Sequence, residues 1–246
     1  MKWRKTMNNF RLSNASHVLK PSWYKQQMSG WSKPSYILLI IGWIFLITVG
    51  FMGGVNELAI TSTVAGVIGF TCTVAITNGK PINGILGFVS AIMLIYVASV
   101  TGNYSDIIMQ AFYVMLLDLP IMFSFSWNKT EFQPRKMKRH DMLLTSLIFL
   151  VFLLITYGID TLLQSPQAVL DAIAATIGLT GAVLTLKKFR ATYYFWLAQG
   201  LMSIALWIQT ALHGHAVWVL MFTYILYLLN DLVAFTSSKW FHERKA

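Results

Sequence analysis

The chain is 246 residues long, 56% of them hydrophobic and only 11% charged, with 19 Lys+Arg against 9 Asp+Glu for a formal net charge of +10. A soluble domain carries about 25% charged residues, so this composition excludes an ordinary globular enzyme, a disordered chain and, despite the positive charge, a nucleic-acid-binding domain. It is the composition of an integral membrane protein, and its single cysteine, Cys72, lies in an apolar run, which leaves neither a disulfide framework nor a cysteine-based metal site.

Residues 1–34 mix Lys and Arg with Trp3, Phe10, Trp23, Tyr24 and Trp31. Such a stretch is either a segment lying on the anionic inner leaflet or a mostly disordered basic tail. Crossing a hydrocarbon core of about 30 Å at about 1.5 Å per residue takes about 20 apolar residues. Runs of that kind predict eight membrane-spanning helices at roughly 35–55, 58–77, 81–100, 104–126, 142–160, 168–186, 191–212 and 214–237. The first is too long for a signal-peptide core and lacks a small-residue cleavage site after it, so it is read as a retained helix. The links are short except at 127–141.

Basic residues mark cytoplasmic loops. All 19 fall before span 1, between spans 2 and 3, 4 and 5, or 6 and 7, or after span 8. The opposite loops, with Asn56-Glu57, Thr101-Gly102-Asn103, Asp160 to Gln167 and His213-Gly214-His215, carry none. Both termini are therefore expected in the cytoplasm.

Two segments of the chain are similar to each other. Ile68-Gly69-Phe70-Thr71 in span 2 matches Ile177-Gly178-Leu179-Thr180 in span 6, and Asp118-Leu119, Ser124 and Trp127 match Asp231-Leu232, Ser237 and Trp240. Two three-helix units share one orientation only if an odd number of helices separates them, and span 5 is that spacer. The expected architecture is an all-α bundle of eight transmembrane helices: a 3+1+3 core of parallel repeats with a site between the halves, plus one N-terminal accessory helix. The predicted divisions are a basic, aromatic segment at 1–34, the accessory helix at 35–55, a first repeat at 56–127, a basic loop and linker helix at 128–165, a second repeat at 166–240 and a tail at 241–246.

Polar residues inside the spans are the candidate functional groups. Asp118 and Asp231 lie toward the basic ends of spans 4 and 8 and suit gating or helix pairing; the alternatives are a hydrogen bond to Ser124 or Thr236, or snorkelling to the interface. Asp106, Gln110 and Tyr113 share one stripe of span 4. Tyr193, Trp196 and Gln199 do so in span 7, and Tyr224, Tyr227, Asn230 and Asp231 in span 8. Rings interleaved with amides and free of Lys or Arg fit a neutral or weakly cationic flat ligand bearing hydroxyls, because rings stack and amides both donate and accept. A phosphate would need basic partners, which the spans lack.

In Tyr104-Ser-Asp106-Ile-Ile-Met-Gln110-Ala-Phe112-Tyr113 the sequence resembles the PnuC family of vitamin transporters, whose pattern in this helix is Tyr-x-Asp followed by Gln-x-aromatic-Tyr. Further matches are Asn83 with Gly87 in span 3, Trp196 in span 7 and the basic link before it, and the resemblance covers about 58–240. Tyr193 stands where the family's Trp-x-x-Trp pair begins, Gln199 stands near a common Asn or Asp, and Pro120 through Phe125 replace a Gly-Trp signature.

The resemblance implies a carrier with the architecture of SWEET sugar transporters, in a bacterial cell membrane and working as a homotrimer. It implies facilitated diffusion of a nucleoside-like vitamin precursor, nicotinamide riboside or a deoxynucleoside, with thiamine and riboflavin carried by relatives. Cytoplasmic phosphorylation of the cargo would drive net uptake. Asn83, Gln110, Tyr113, Tyr193, Trp196, Gln199, Tyr224, Tyr227 and Asn230 are the expected substrate-binding residues, with no cofactor and no metal. The competing readings are a proton-coupled carrier using Asp118 and Asp231, a membrane sensor or scaffold, and a membrane-embedded enzyme, for which the chain offers no H-E-x-x-H or G-x-S-x-G motif.

Overall fold

The computed structural model describes residues 18–123, 133–165 and 167–242. A short helix α1 (Pro21–Gln27) precedes α2 (Lys33–Phe51), α3 (Glu57–Thr77), α4 (Asn83–Thr101), α5 (Tyr104–Phe123), α6 (Arg139–Leu162), α7 (Ala168–Leu186), α8 (Thr192–Leu212) and α9 (Trp218–Ser237). The eight helices α2–α9 are each long and apolar enough to cross a membrane, and no strand forms among the described residues. Ser124 and Trp127, matched above to Ser237 and Trp240, lie outside the described residues, as do 1–17, the rest of 124–132, 166 and 243–246.

Local chemistry sets the ends. The first span stops at Phe51, short of the predicted 55, because the Gly53-Gly54 pair follows, with Gly54 at φ +104. Asn56 then caps α3, its side-chain oxygen accepting from the Ala59 amide at 2.8 Å. Ser32 caps α2 in the same way through Ser35 N–H, 3.2 Å. Gly214, at φ +96, delays the last span to Trp218. α6 begins at Arg139, where the Asp141 carboxylate accepts from the Lys138 amide at 2.9 Å.

α5 is not a uniform α-helix: its Val114–Asp118 stretch is a π turn. Pro120 lies two residues beyond it. Proline has no N–H to return to the Leu116 carbonyl and its ring would collide with that oxygen, so the widened turn absorbs the misfit and the helix continues to Phe123.

Two triplets form the body of the bundle. α3 packs on α4 and α4 on α5; α7 packs on α8 and α8 on α9; α9 meets α3 and α5 meets α7 across the middle. α2 lies outside against α3 and α9, and α6 lies outside against α7 and α5. α2 buries Ser35, Leu39, Gly42 and Leu46, one stripe spaced by three and four. A methyl group at Gly42 would overlap the Phe70 ring, so glycine there lets α2 sit close to α3. The Trp43 indole N–H donates to Thr71 Oγ1 at 2.9 Å across the same contact. Of α6 only Thr156 and Asp160 are buried, while Leu143, Leu147, Leu150 and Leu154 are exposed apolar surface that faces lipid in a membrane.

The described part of the N-terminal segment is ordered on the bundle. Trp23 and Trp31 are buried against the core, Trp31 Nε1 donates to Gln27 O at 2.7 Å, and the Tyr36 hydroxyl donates to Met28 O at 2.8 Å. At the same end, Arg135 exchanges main-chain bonds with Lys188 and Arg190 (2.7 and 2.9 Å). The Arg135 guanidinium sits 4.9 Å from the Phe189 ring centre, so the two basic loops are fastened together.

Candidate functional site

Between the triplets lies a cavity with about 90 Å³ of space open to the centres of water molecules. It draws on the second half of α3 (Gly69 to Ile76), the first part of α4 (Gly87 to Leu94), the middle of α5, the start of α8 and the middle of α9. It therefore lies toward the end of the bundle that carries the basic loops. Of the twelve candidate residues named from the sequence, ten line it: Gln110, Tyr113, Asp118, Tyr193, Trp196, Gln199, Tyr224, Tyr227, Asn230 and Asp231; Asp106, which accepts from Gln110 at 3.4 Å, does not.

Asn83 does not line it. It starts α4, so its side chain turns to the loop before it: Nδ2 donates to Lys80 O at 2.6 Å, and its own carbonyl accepts from the Cys72 thiol at 3.3 Å. Its Oδ1 is buried without a hydrogen-bond partner among the described residues. Sequence reasoning missed Gly69, Cys72, Gly87 and Ser90 on the wall, since small residues in apolar helices give no periodic signal.

The rings form two groups. Tyr113 and Trp196 meet edge to face with centroids 5.9 Å apart, and Tyr224 and Tyr227 do the same at 5.1 Å. The Trp196 indole is held by a bond to Thr185 Oγ1 at 3.1 Å, which fixes the ring plane from behind. Gln199 Nε2 donates to Ser203 Oγ at 3.2 Å, leaving the amide oxygen as an acceptor. The Asn230 amide donates to Thr77 Oγ1 at 2.9 Å, and its Oδ1 is buried without a hydrogen-bond partner among the described residues. The Tyr113 hydroxyl and Oδ2 of both Asp118 and Asp231 share that condition. Thr236, a proposed partner for the aspartates, donates to Leu232 O at 2.8 Å instead.

Contacts between the triplets lie toward both ends of the bundle. At the basic end the hydroxyls of Thr77 and Tyr193 lie 3.1 Å apart, Trp240 Nε1 donates to Ile76 O at 2.9 Å, and Tyr193 packs against Trp240 at 5.4 Å. At the opposite end Asn103, Gln167 and Thr210 form one part-buried network: Gln167 Nε2 donates to Asn103 Oδ1 and Thr210 Oγ1, both at 2.7 Å. Beside it, Ser105 starts α5 under two buried carboxylates. Its N–H reaches Asp160 Oδ1 (3.1 Å) and Asp171 Oδ2 (3.0 Å), and its hydroxyl donates to Asp160 Oδ2 at 2.5 Å. Carboxylates at a helix start satisfy its orphan amides and its dipole. Asp160 had been placed in a loop and Asp171 passed over, because their partner is a backbone group that sequence does not display.

Among the described residues no group of three or more His, Cys, Asp or Glu is placed to hold a metal ion. What the wall offers is rings for a flat ligand, amides for hydroxyls or a carboxamide, and carboxylates, with no Lys, Arg or His in the described lining.

In structural comparison the chain is similar to the crystal structure of the vitamin B3 transporter PnuC. The TM-score is 0.75 at 19% identity, covering 88% of this chain and 95% of that one, a likeness of fold. No curated protein matches the chain in sequence. The family model described as nicotinamide mononucleotide transporter matches residues 59–242, which takes in both triplets and every residue of the cavity wall. The chain belongs to the nicotinamide mononucleotide transporter family: it is a multi-pass membrane transporter and not an enzyme.

Proposed function

We propose that the protein is a facilitative carrier of a nucleoside-like vitamin precursor, nicotinamide riboside or a deoxynucleoside, bound in the ring-lined cavity between the triplets. The observation that carries this reading is the wall itself: Trp196 with Tyr113, and Tyr224 with Tyr227, flank a space bordered by the Gln110, Gln199 and Asn230 amides. A base or pyridine ring stacks there while the amides bond the sugar. A phosphorylated cargo is disfavoured, because two carboxylates and no cation meet it. Phosphorylation in the cytoplasm would therefore trap the product, and basic loops on one face favour both termini on that side.

The architecture we infer is a pair of parallel repeats. α2 stands to α3 and α9 as α6 stands to α7 and α5, so α2 is the counterpart of the linker helix as much as an accessory. Tyr113 precedes Asp118 by five residues and Tyr227 precedes Asp231 by four. The π turn at Val114–Asp118 accounts for the extra residue, so the two tyrosines and the two aspartates fall in register. Rocking of one triplet against the other would break the Thr77–Tyr193 closure at one end and the Asn103–Gln167–Thr210 closure at the other in turn. Assembly as a homotrimer follows the family resemblance.

Proteoliposomes test the transport mode. Labelled nicotinamide riboside or deoxynucleoside should enter until inner and outer concentrations are equal, indifferent to an imposed proton gradient. The buried position of Asp118 and Asp231 in the wall favours one second reading, proton coupling. Accumulation of unmodified cargo under the gradient would select it and reject the uniport.

A further inference from the structure

The sequence carries seven Lys or Arg and no Asp or Glu before Glu57. Within that stretch Trp23 is buried against the core, so α1 is pinned to the bundle by one side. Another face of α1 opens into a hollow lined by Lys20, Ser22, Lys25, Gln26 and Ser29 and edged by Trp23. Ser22, Lys25, Gln26 and Ser29 follow at helical spacing, which gathers their polar ends together. Ser29 Oγ donates to Gln26 O at 2.9 Å, which leaves two ammonium groups, the Ser22 hydroxyl and the Gln26 amide as donors. A cationic donor set without a carboxylate suits the oxygens of a phosphate.

The height of α1 against the membrane follows from α2. The lipid-facing stripe of α2 starts one turn after Lys33, with Ile37, Ile40, Ile41 and Ile44 each more than half exposed. α1 folds back beside that first turn: the Tyr36 hydroxyl donates to Met28 O at 2.8 Å, and the Trp31 and Tyr36 rings lie nearly parallel with centroids 5.9 Å apart. The hollow therefore opens where hydrocarbon gives way to headgroups, at the end of the bundle that carries the basic loops. Exposed Leu19 and Tyr24 flank the lysines, as apolar and aromatic side chains do in a segment lying on a membrane.

We propose that α1 and the turn after it form a docking site for an anionic glycerophospholipid of the leaflet on the basic side. Lys20 and Lys25 hold its phosphate, and an acyl chain lies along the isoleucine stripe of α2. The site is separate from the cargo cavity and independent of what the carrier transports. A zwitterionic headgroup brings an ammonium that the two lysines repel, so the charge of the headgroup decides occupancy.

Native mass spectrometry of the purified full-length protein in a neutral detergent tests this. Equal amounts of dioleoylphosphatidylglycerol and dioleoylphosphatidylcholine compete with the same tails and different headgroups. The wild type should retain the anionic lipid at least about thirtyfold more tightly. Lys20→Gln with Lys25→Gln should lower that preference by about thirtyfold. Lys136→Gln with Lys187→Gln removes the same charge from two exposed loop positions at the same end and should leave the preference unchanged. Undiminished binding of the zwitterionic lipid shows that the variants are folded. Equal retention of the two lipids by the wild type overturns the proposal without any variant. An equal drop in both variant pairs overturns it too, because diffuse charge rather than α1 would then hold the lipid. Inorganic phosphate, added as its ammonium salt, should fail to displace the anionic lipid; displacement would make the hollow a site for the free ion and overturn the lipid assignment.

Discussion

The Tyr227 hydroxyl rests directly over the backbone of Gly69: a methyl group at Gly69 would lie 2.5 Å from that oxygen and 2.8 Å from Ser90 Oγ. Gly178 seats Tyr113 in the same manner, since a methyl there would overlap the Tyr113 hydroxyl and lie 2.7 Å from Met109 Sδ. Gly69 and Gly178 are the glycines of the matched segments in spans 2 and 6. Each triplet thus contributes a glycine seat for a tyrosine of the other. Gly69→Ala or Gly178→Ala should push the seated ring into the cavity, cost about 1–3 kcal/mol of stability by overpacking and weaken cargo binding. Gly158→Ala is the control, because nothing lies within 4 Å of its added methyl. Thermal unfolding and calorimetry on the three variants check this; loss of binding in Gly158→Ala alone would contradict it.

Ser105 holds two acids from two different helices at the start of α5. Ser105→Ala keeps the amide bonds and removes the hydroxyl bonds to Asp160 Oδ2 and Thr156 O. The expected loss is about 1–3 kcal/mol, because a buried carboxylate oxygen is left without its donor. Cargo affinity should be unchanged, since none of these groups lines the cavity. Unaltered melting would show that the hydroxyl contributes nothing to the outer cap.

Cys72 is the chain's one cysteine and borders the cavity, which makes it a reporter at a known place. Saturating cargo should slow its alkylation by a small neutral maleimide, read by intact-mass spectrometry. A rate indifferent to cargo would place the ligand elsewhere.

Tyr193 closes the basic end through Thr77, and Asn230 reaches the same threonine from α9. Tyr193→Phe keeps the ring packed against Trp240, Phe235 and Phe241 and removes one hydrogen bond. It should cost about 0.5–1.5 kcal/mol of stability and raise the rate of cargo release at that end. A stopped-flow dissociation rate equal to that of the wild type would contradict the gate.

Much of this was open to reading in the chain. Eight apolar runs and the side-by-side stripes on spans 4, 7 and 8 placed Gln110, Trp196, Tyr224 and their neighbours on one wall, because a helix carries its stripe wherever its period dictates. The ends of the spans depended on Gly53-Gly54 and Gly214, whose positive φ at Gly54 and Gly214 breaks the helix while hydropathy continues. Asn83 stands off the cavity lining because a residue at a helix start faces the preceding loop, a direction that spacing does not encode. Asp160 and Asp171 stayed hidden for a related reason: their partner is the amide of Ser105, and a backbone donor leaves no mark in the sequence. The π turn at Val114–Asp118 leaves no mark in the sequence either, apart from Pro120 just beyond it.

Trp196 is the most direct probe of the central claim, that the cavity between the triplets is the cargo site. Its indole is anchored to Thr185 and edged by Tyr113, so its truncation removes a stacking face without disturbing either closure. Calorimetric titration of Trp196→Ala with nicotinamide riboside should show a loss of about 1–3 kcal/mol, roughly 5- to 150-fold in affinity. An affinity equal to that of the wild type would contradict the account.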